Sequence, residues 1–563
     1  MASVENCSGS PLIISGFITN WWLAMSDNNI GVIAAVVRAT RSHSVGDVLR
    51  RTALRVPDKT ALITADRTFT YADFDDAVNR TANALAARGI GAGERVAILS
   101  HNSWEVCILT YALARLGALM VPINYMLNSD EVAYILDHAQ VSGLVVEDSL
   151  FDVAEPAITA ARADLRVRGW IPLAGSAEPA GWETVAEWAA TGEPGEPPVT
   201  VDDDDPIRLM YTSGTESRPK GALLSSRSLM SQYISCIVDG EMSADDVEVH
   251  ALPLYHCAQL DCFLGPDIYV GATSIVVSRP DPELLLRTIE EHKVTKLFCP
   301  PTVWISLMRS PAFDTTDLSS LRKGYYGASP MPVEVLQELQ RRLPDVRLWN
   351  FYGQTEMAPL ATILKPDEQM SRAGSAGRPA LNVETRLVDD DGNLVAVGDV
   401  GEIVHRSPQA TLGYFRDEEK TAEAFRDGWF HSGDLGVFDA DGYLTVVDRK
   451  KDMIKTGGEN VASREVEEAI YGLAGVEEVA VFSTPDPKWI EAVTAVIVMR
   501  AGADLDEGQV LAHCRAVLAG YKVPKRVFFR SALPKNPSGK ILKRDLRVTY
   551  SEAEVPVSAA SRP

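Results

Sequence analysis

Residues 211–221 read YTSGTESRPKG. Within this stretch stand the hydroxyls of Thr212, Ser213 and Thr215, Gly214 and the pair Lys220-Gly221. Hydroxyl and backbone N–H donors beside an ammonium are the chemistry that holds a polyphosphate. The strand-like IRLMY precedes the loop, and a helix is expected after it. That order belongs to an α/β fold, in which strands alternate with helices. The common phosphate loop G-x-x-x-x-G-K-[ST] does not fit: counted from Gly214, its second glycine falls on Pro219 and its hydroxyl on Gly221. Glu216 sets a carboxylate among the donors. Facing a triphosphate at ~4 Å it would cost on the order of 1–4 kcal/mol, so it is expected to point outward, toward Arg218.

The alternation extends both ways. TYADFDDAVNRTANALAARG opens on Thr70, an N-cap with Asp73 three residues on. It carries Val78, Ala82 and Leu85 on one face and stops at Gly89. RVAIL is a buried strand, SWEVCILTYALARLG a helix, and ALMVPIN a strand again. LLLRTIEEH and TKLFCPP repeat the helix–strand rhythm. An acidic, Pro- and Gly-rich stretch ends in VDDDDP, expected as a solvated turn because adjacent like charges repel. Beyond VDRKKD (447–452) the pattern changes. Ser463 is placed to cap a short helix with Val466, Ala469 and Ile470 inward, EEVAVFS and AVTAVIVM are strands, and a helix covers 507–518.

A chain of 563 residues exceeds one simple core. The expected division is an extension over 1–44, partly disordered, a large domain over 45–448, a small α+β lid over 449–548 and a tail over 549–563. The net charge of −23 argues against nucleic acid or an anionic membrane as partner. It also requires that any anionic ligand be met by local positive groups. Seven scattered cysteines suggest neither a zinc site nor a disulfide framework, and a reducing cytoplasm is the expected location. PLIISGFITNWWLA (11–24) is apolar, yet no Lys or Arg precedes Arg38 and polar residues interrupt it. It reads as neither signal peptide nor membrane span. An upstream mis-assigned start, with Met25 as the alternative, is the companion reading, and an interfacial anchor the lesser one.

Downstream stand YYGASP (325–330), YGQTE (352–356), GEIVHRSPQATLGYF (401–415), HSGDLG (431–436), DRKKDMIKTGGENVASREVE (448–467) and LPKNPSGKILKRDLR (533–547). With 211–221, and in this order, they resemble the signature of the adenylate-forming (AMP-binding) superfamily, its acyl-CoA synthetase branch above all. The resemblance spans roughly residues 45 to 548. It implies a large domain of stacked mixed and parallel sheets with helices on their faces, and a small mobile α+β C-terminal domain. It also implies a chemistry: a carboxylate attacks the α-phosphate of ATP, pyrophosphate leaves, and the thiol of CoA then displaces AMP. Joining an anion to a polyanion demands charge neutralisation and in-line positioning.

By the same resemblance, Thr212, Ser213, Gly214, Thr215 and Lys220 grip the β- and γ-phosphates. Thr355 holds the α-phosphate, and Glu356, with Thr212, binds Mg2+, a hard cation suited to oxygen ligands. Gly327, Ala328, Ser329, Tyr352 and Gly353 frame the adenine, Asp434 accepts from the ribose, and Arg449 donates to the ribose or phosphate region. Lys540, in PSGK, stabilises the charge that develops during adenylation. His256 stands at the mouth of the acyl pocket as a gate without an acid–base role. Lys451 is the hinge about which the small domain turns between half-reactions, and Gly458 then lines the CoA tunnel.

The chain departs from the family pattern at Glu216-Ser217, usually Thr-Gly, at Ser463, commonly Pro, and at Ile490 in WIE, commonly W-G-E. The favoured substrate is a medium- or long-chain fatty acid, with an aromatic acid as alternative. A ligase delivering to a carrier protein, a luciferase-like oxygenase and a silent nucleotide-binding protein are the remaining readings. Chain length and oligomeric state stay open, a homodimer included.

Overall fold

The computed structural model describes residues 36–37, 40–212, 219–329, 331–456, 459–536 and 540–551. Local signals locate the first helices. At Tyr71–Ala87 the Thr70 hydroxyl accepts from the Asp73 N–H and the Asp73 carboxylate accepts from the Thr70 N–H. Trp104–Leu116 is capped by Ser103 and is buried on every side, as expected of a helix apolar all round.

Two large sheets dominate the described residues. One runs Arg378–Pro379, Leu360–Leu364, Arg347–Gly353, Lys323–Gly327, Lys296–Phe298, Val247–His250, Thr273–Val276, Thr60–Ile63 and Thr68–Thr70. Its centre, from Arg347–Gly353 to Thr60–Ile63, is parallel. The other runs Gly413–Tyr414, Lys220–Ser225, Pro206–Thr212, Leu119–Ile123, Arg95–Leu99, Gly143–Glu147, Val167–Ile171 and Glu183–Thr184. A smaller antiparallel sheet contains Gly401–Arg406, Trp429–Phe438 and Leu444–Arg449. The small domain pairs Val476–Asp486 with Ile490–Met499, and Arg526–Arg530 joins in parallel. This is the expected α/β architecture with a small α+β unit after it. No helix of the described residues is long and apolar enough to cross a membrane.

Four local expectations change. The phosphate-loop stretch does not lead into a helix. Lys220–Ser225 is a strand antiparallel to Pro206–Thr212, with Thr212 opposite Lys220, and the helix begins only at Ser226, capped by Ser225. The run KGALLS extends the sheet. Residues 213–218, with Ser213, Gly214, Thr215 and Glu216, lie outside the described residues. Ser463 does not cap its helix; it is the first helical residue. The Asp448 Oδ2 accepts the Ser463 N–H at 2.6 Å, and the Ser463 Oγ accepts from Lys543 Nζ at 2.8 Å. The VDDDDP turn is anchored rather than merely solvated, with Arg227 on Asp204 and the His43 N–H on Asp203. The last helix, Lys543–Ser551, continues past residue 548.

Candidate active site

A cavity of about 670 Å³ opens where the carboxyl ends of the central parallel strands meet the small domain, the usual ligand position in open α/β sheets. Its wall brings together Thr212, Lys220, His256, Gly327, Ala328, Tyr352, Gly353, Thr355, Glu356, Asp434, Arg449, Lys451 and Lys540. Ser213, Gly214, Thr215 and Gly458 lie outside the described residues. Ser329 is not among the wall residues: the left-handed turn at Ala328 (φ 62°) redirects the chain before it.

Adjacent strand ends form the nucleotide side. Gly327 pairs with Phe351, and a Cβ at 327 would come within 2.4 Å of the Phe351 carbonyl oxygen, so only glycine closes this end of the sheet. The Tyr352 hydroxyl donates to Asp434 Oδ2 at 2.7 Å. Asp434 stands opposite Arg449 on the neighbouring hairpin, with Arg449 Nε 3.5 Å from Oδ1. Burial and the Asp434 charge raise the Tyr352 hydroxyl well above its ordinary range, so it stays a donor. The carboxylate is thereby oriented at the edge where a ribose diol would lie.

Thr355 and Glu356 occupy a single 3₁₀ turn. The Thr355 hydroxyl lies 3.4 Å from Cys257 Sγ. One Glu356 oxygen accepts from the Tyr414 hydroxyl at 2.8 Å. Among the described residues the other is open to a cation, and a carboxylate oxygen is the ligand a hard divalent ion takes, so Glu356 fits the Mg2+ role. His256 Nδ1 accepts from the Ala258 N–H at 3.1 Å. Burial, and then the Lys540 charge, push this imidazole down to about 4, so it is neutral near pH 7.

The Lys540 N–H donates to Asn536 Oδ1 and the Lys540 carbonyl accepts from the Asn536 N–H. The Lys540 side chain lines the cavity wall. Burial, and then repulsion from Arg449, hold the ammonium down to about 8. Lys451 adds to that repulsion. Lys220, Arg449, Lys450, Lys451 and Lys540 share this wall. A molecule of net charge −23 thus gathers cations around one cavity.

Another part of the wall is aromatic. Phe263 stacks on Phe298 with centroids 4.3 Å apart and on Phe351 at 5.6 Å. Cys262, in the same wall, accepts from Gln232 Nε2 at 3.2 Å. These residues come from distant segments, so no local pattern announces them. Tyr414, also unassigned from sequence, is the penultimate residue of the motif 401–415. Elsewhere, Glu248, His250 and Asp267 are close enough for a metal, but buried Lys296 is already their cation, 2.8 Å from Glu248 and in contact with Asp267.

Known proteins agree with this geometry. The family model described as AMP-binding enzyme matches residues 49–415, and that of the AMP-binding enzyme C-terminal domain matches 465–540. A feruloyl-CoA synthase of Amycolatopsis sp. is 38% identical over 508 residues, 90% of this chain and 99% of that protein. An indoleacetate–CoA ligase of Aromatoleum aromaticum is 37% identical, covering 87% and 95%. The long-chain-fatty-acid–CoA ligase FadD13 of Mycobacterium tuberculosis is 35% identical, covering 91% and 99%. The anthranilate CoA ligase AuaEII, solved with anthranoyl-AMP, superposes with a TM-score of 0.83 at 27% identity over 90% of this chain and 97% of that one.

Proposed function

The chain belongs to the AMP-binding enzyme family, and from that premise we propose that this AMP-forming acid–CoA ligase activates an aromatic acid. The observation that carries the reading is the stack of Phe263 on Phe298 and Phe351 beside the cationic wall. Offset rings favour a flat partner, and aromatic pairs add about 0.5–1.5 kcal/mol beyond the area they bury. Two of the named relatives, and the anthranilate ligase, carry aromatic acids in their names. The fatty-acid reading favoured by the sequence is supported by FadD13 and by a solved fatty acyl CoA synthetase of Mycobacterium tuberculosis, 33% identical.

In the first half-reaction an acid oxygen bonds to the α-phosphorus of ATP and the bond to pyrophosphate breaks. In the second, the CoA sulfur bonds to the acyl carbon, its proton is released, and AMP leaves. Lys540 and Arg449 would neutralise charge building on the α-phosphate, and Lys220 would meet the leaving phosphates. Asp434, held by the Tyr352 hydroxyl, would fix the ribose. Glu356, with Thr212, would hold Mg2+, which arrives with ATP and draws charge from the phosphate oxygens. His256 would shape the entrance to the aromatic wall.

The test is pyrophosphate release with Mg-ATP across C4 to C18 fatty acids, benzoate, cinnamate and ferulate, followed by CoA-dependent release of AMP. An aromatic acid with the highest kcat/KM supports the reading. A fatty acid turned over more than tenfold better than every aromatic acid overturns it.

A further inference from the structure

The motif 401–415 contains a side chain that joins both halves of the phosphate-binding wall. Segment 411–415 is attached on two sides. The Thr411 N–H donates to the Glu356 carbonyl at 2.7 Å, and its hydroxyl donates to the Leu223 carbonyl at 2.6 Å. Tyr414 pairs with Ala222, on the strand that begins at Lys220. The segment therefore links the phosphate-loop hairpin to the turn carrying Thr355 and Glu356. Gly413 lets it pass: its φ of 127° and the Thr421 side chain, 2.8 Å from where a Cβ would stand, leave no room for another residue.

Tyr414 uses both ends of its side chain. Its hydroxyl donates to Glu356 Oε1 at 2.8 Å, and Lys220 Nζ lies over its ring, 5.2 Å from the centroid. We propose that Tyr414 is the positioning residue of the metal–phosphate site: its hydroxyl turns the Glu356 carboxylate toward the cation bound with ATP, and its ring holds Lys220 toward the phosphates. The hydroxyl occupies one carboxylate oxygen and leaves the other for a hard cation. The ring keeps the ammonium near the site by cation–π attraction without neutralising it, as a carboxylate would.

This inference rests on the reading of Glu356 as the Mg2+ ligand, and the test separates the two. Binding of ATP to the full-length protein, without acid, is measured by calorimetry at rising Mg2+ and again in EDTA, for wild type, Tyr414→Phe, Tyr414→Leu and Glu356→Gln. Tyr414→Phe should raise the Mg2+ concentration that half-maximally tightens ATP binding about tenfold, the loss of one charge-assisted hydrogen bond. It should leave metal-free ATP binding unchanged, because the ring stays under Lys220. Tyr414→Leu should weaken ATP binding in EDTA as well. If Glu356→Gln shifts the Mg2+ dependence and Tyr414→Phe does not, the role of Tyr414 is overturned and the metal reading stands. If Glu356→Gln leaves the Mg2+ dependence at the wild-type value, both fall. A lowered unfolding midpoint with unchanged Mg2+ dependence would reduce Tyr414 to a packing residue and likewise overturn the proposal.

Discussion

At the scale of the residue, Lys540 has the sharpest signature. Its ammonium is held down to about 8 by burial and by Arg449. The charged form is the useful one and exists below that value, so kcat/KM for ATP in the pyrophosphate-release assay should decline as pH rises through about 8. Lys540→Arg should remove that limb, because a guanidinium stays protonated. A wild-type profile flat to pH 9.5 would refute the assignment. Lys540→Ala should slow adenylation by about 10² to 10³ while leaving CoA transfer from supplied acyl-adenylate nearly intact. Lys540, Glu356 and Asp434 were legible in the sequence because each stands in a short motif. Tyr414 was not, although it lies within the motif 401–415: the role proposed for it needs the Gly413–Tyr414 strand beside the strand of Lys220, which only the fold supplies.

At the scale of the element, two departures from the family pattern acquire consequences. Ile490 stands at φ 69° and is 74% exposed. A β-branched side chain in the left-handed region is strained, and here it packs against little. Ile490→Gly should therefore raise the denaturation midpoint of the small domain, by roughly 0.5–1 kcal/mol after the glycine's own entropy is counted. A lower midpoint would contradict the strain argument. Ser463→Pro would restore a residue well suited to the first helical position, yet it deletes the N–H that Asp448 accepts. Adenylation should slow several-fold with CoA transfer spared; equal slowing of both steps would deny Asp448–Ser463 a role in seating the lid. Helices with strong local caps, such as Tyr71–Ala87, were readable without the fold. The hairpin at 206–225 was not, because the ladder between its strands is a non-local pairing and a hydroxyl-rich loop can precede either a strand or a helix.

At the scale of the whole molecule, named polar contacts dock the small domain. Arg464, on its first helix, donates to the Val446 carbonyl at 2.5 Å and to the Gly374 carbonyl of the large domain at 3.1 Å. Arg309 pairs with Glu477 across the same junction. Arg464→Ala should speed proteolytic cleavage near 447–452 and lower the adenylation rate about tenfold, the loss of hydrogen bonds from a charged group. Unchanged cleavage would mean the docking does not depend on it. The acyl wall lies at the other limit of legibility. Phe263, Phe298 and Phe351 are separated by whole strands and helices, so only the sheet brings them face to face.

The cationic cavity in an acidic molecule has a kinetic corollary. A nucleotide approaching from afar meets net repulsion and feels attraction only at the mouth of the cleft. Dissolved salt shortens the reach of both fields, to about 8 Å near 0.15 M, which erases the distant repulsion before it touches the enclosed attraction. Ionic strength should thus quicken ATP capture at first, the reverse of ordinary steering, before it weakens the final grip. Stopped-flow association rates from 10 to 300 mM NaCl should pass through a maximum, and a monotonic fall would mean that the mouth governs the encounter from the outset.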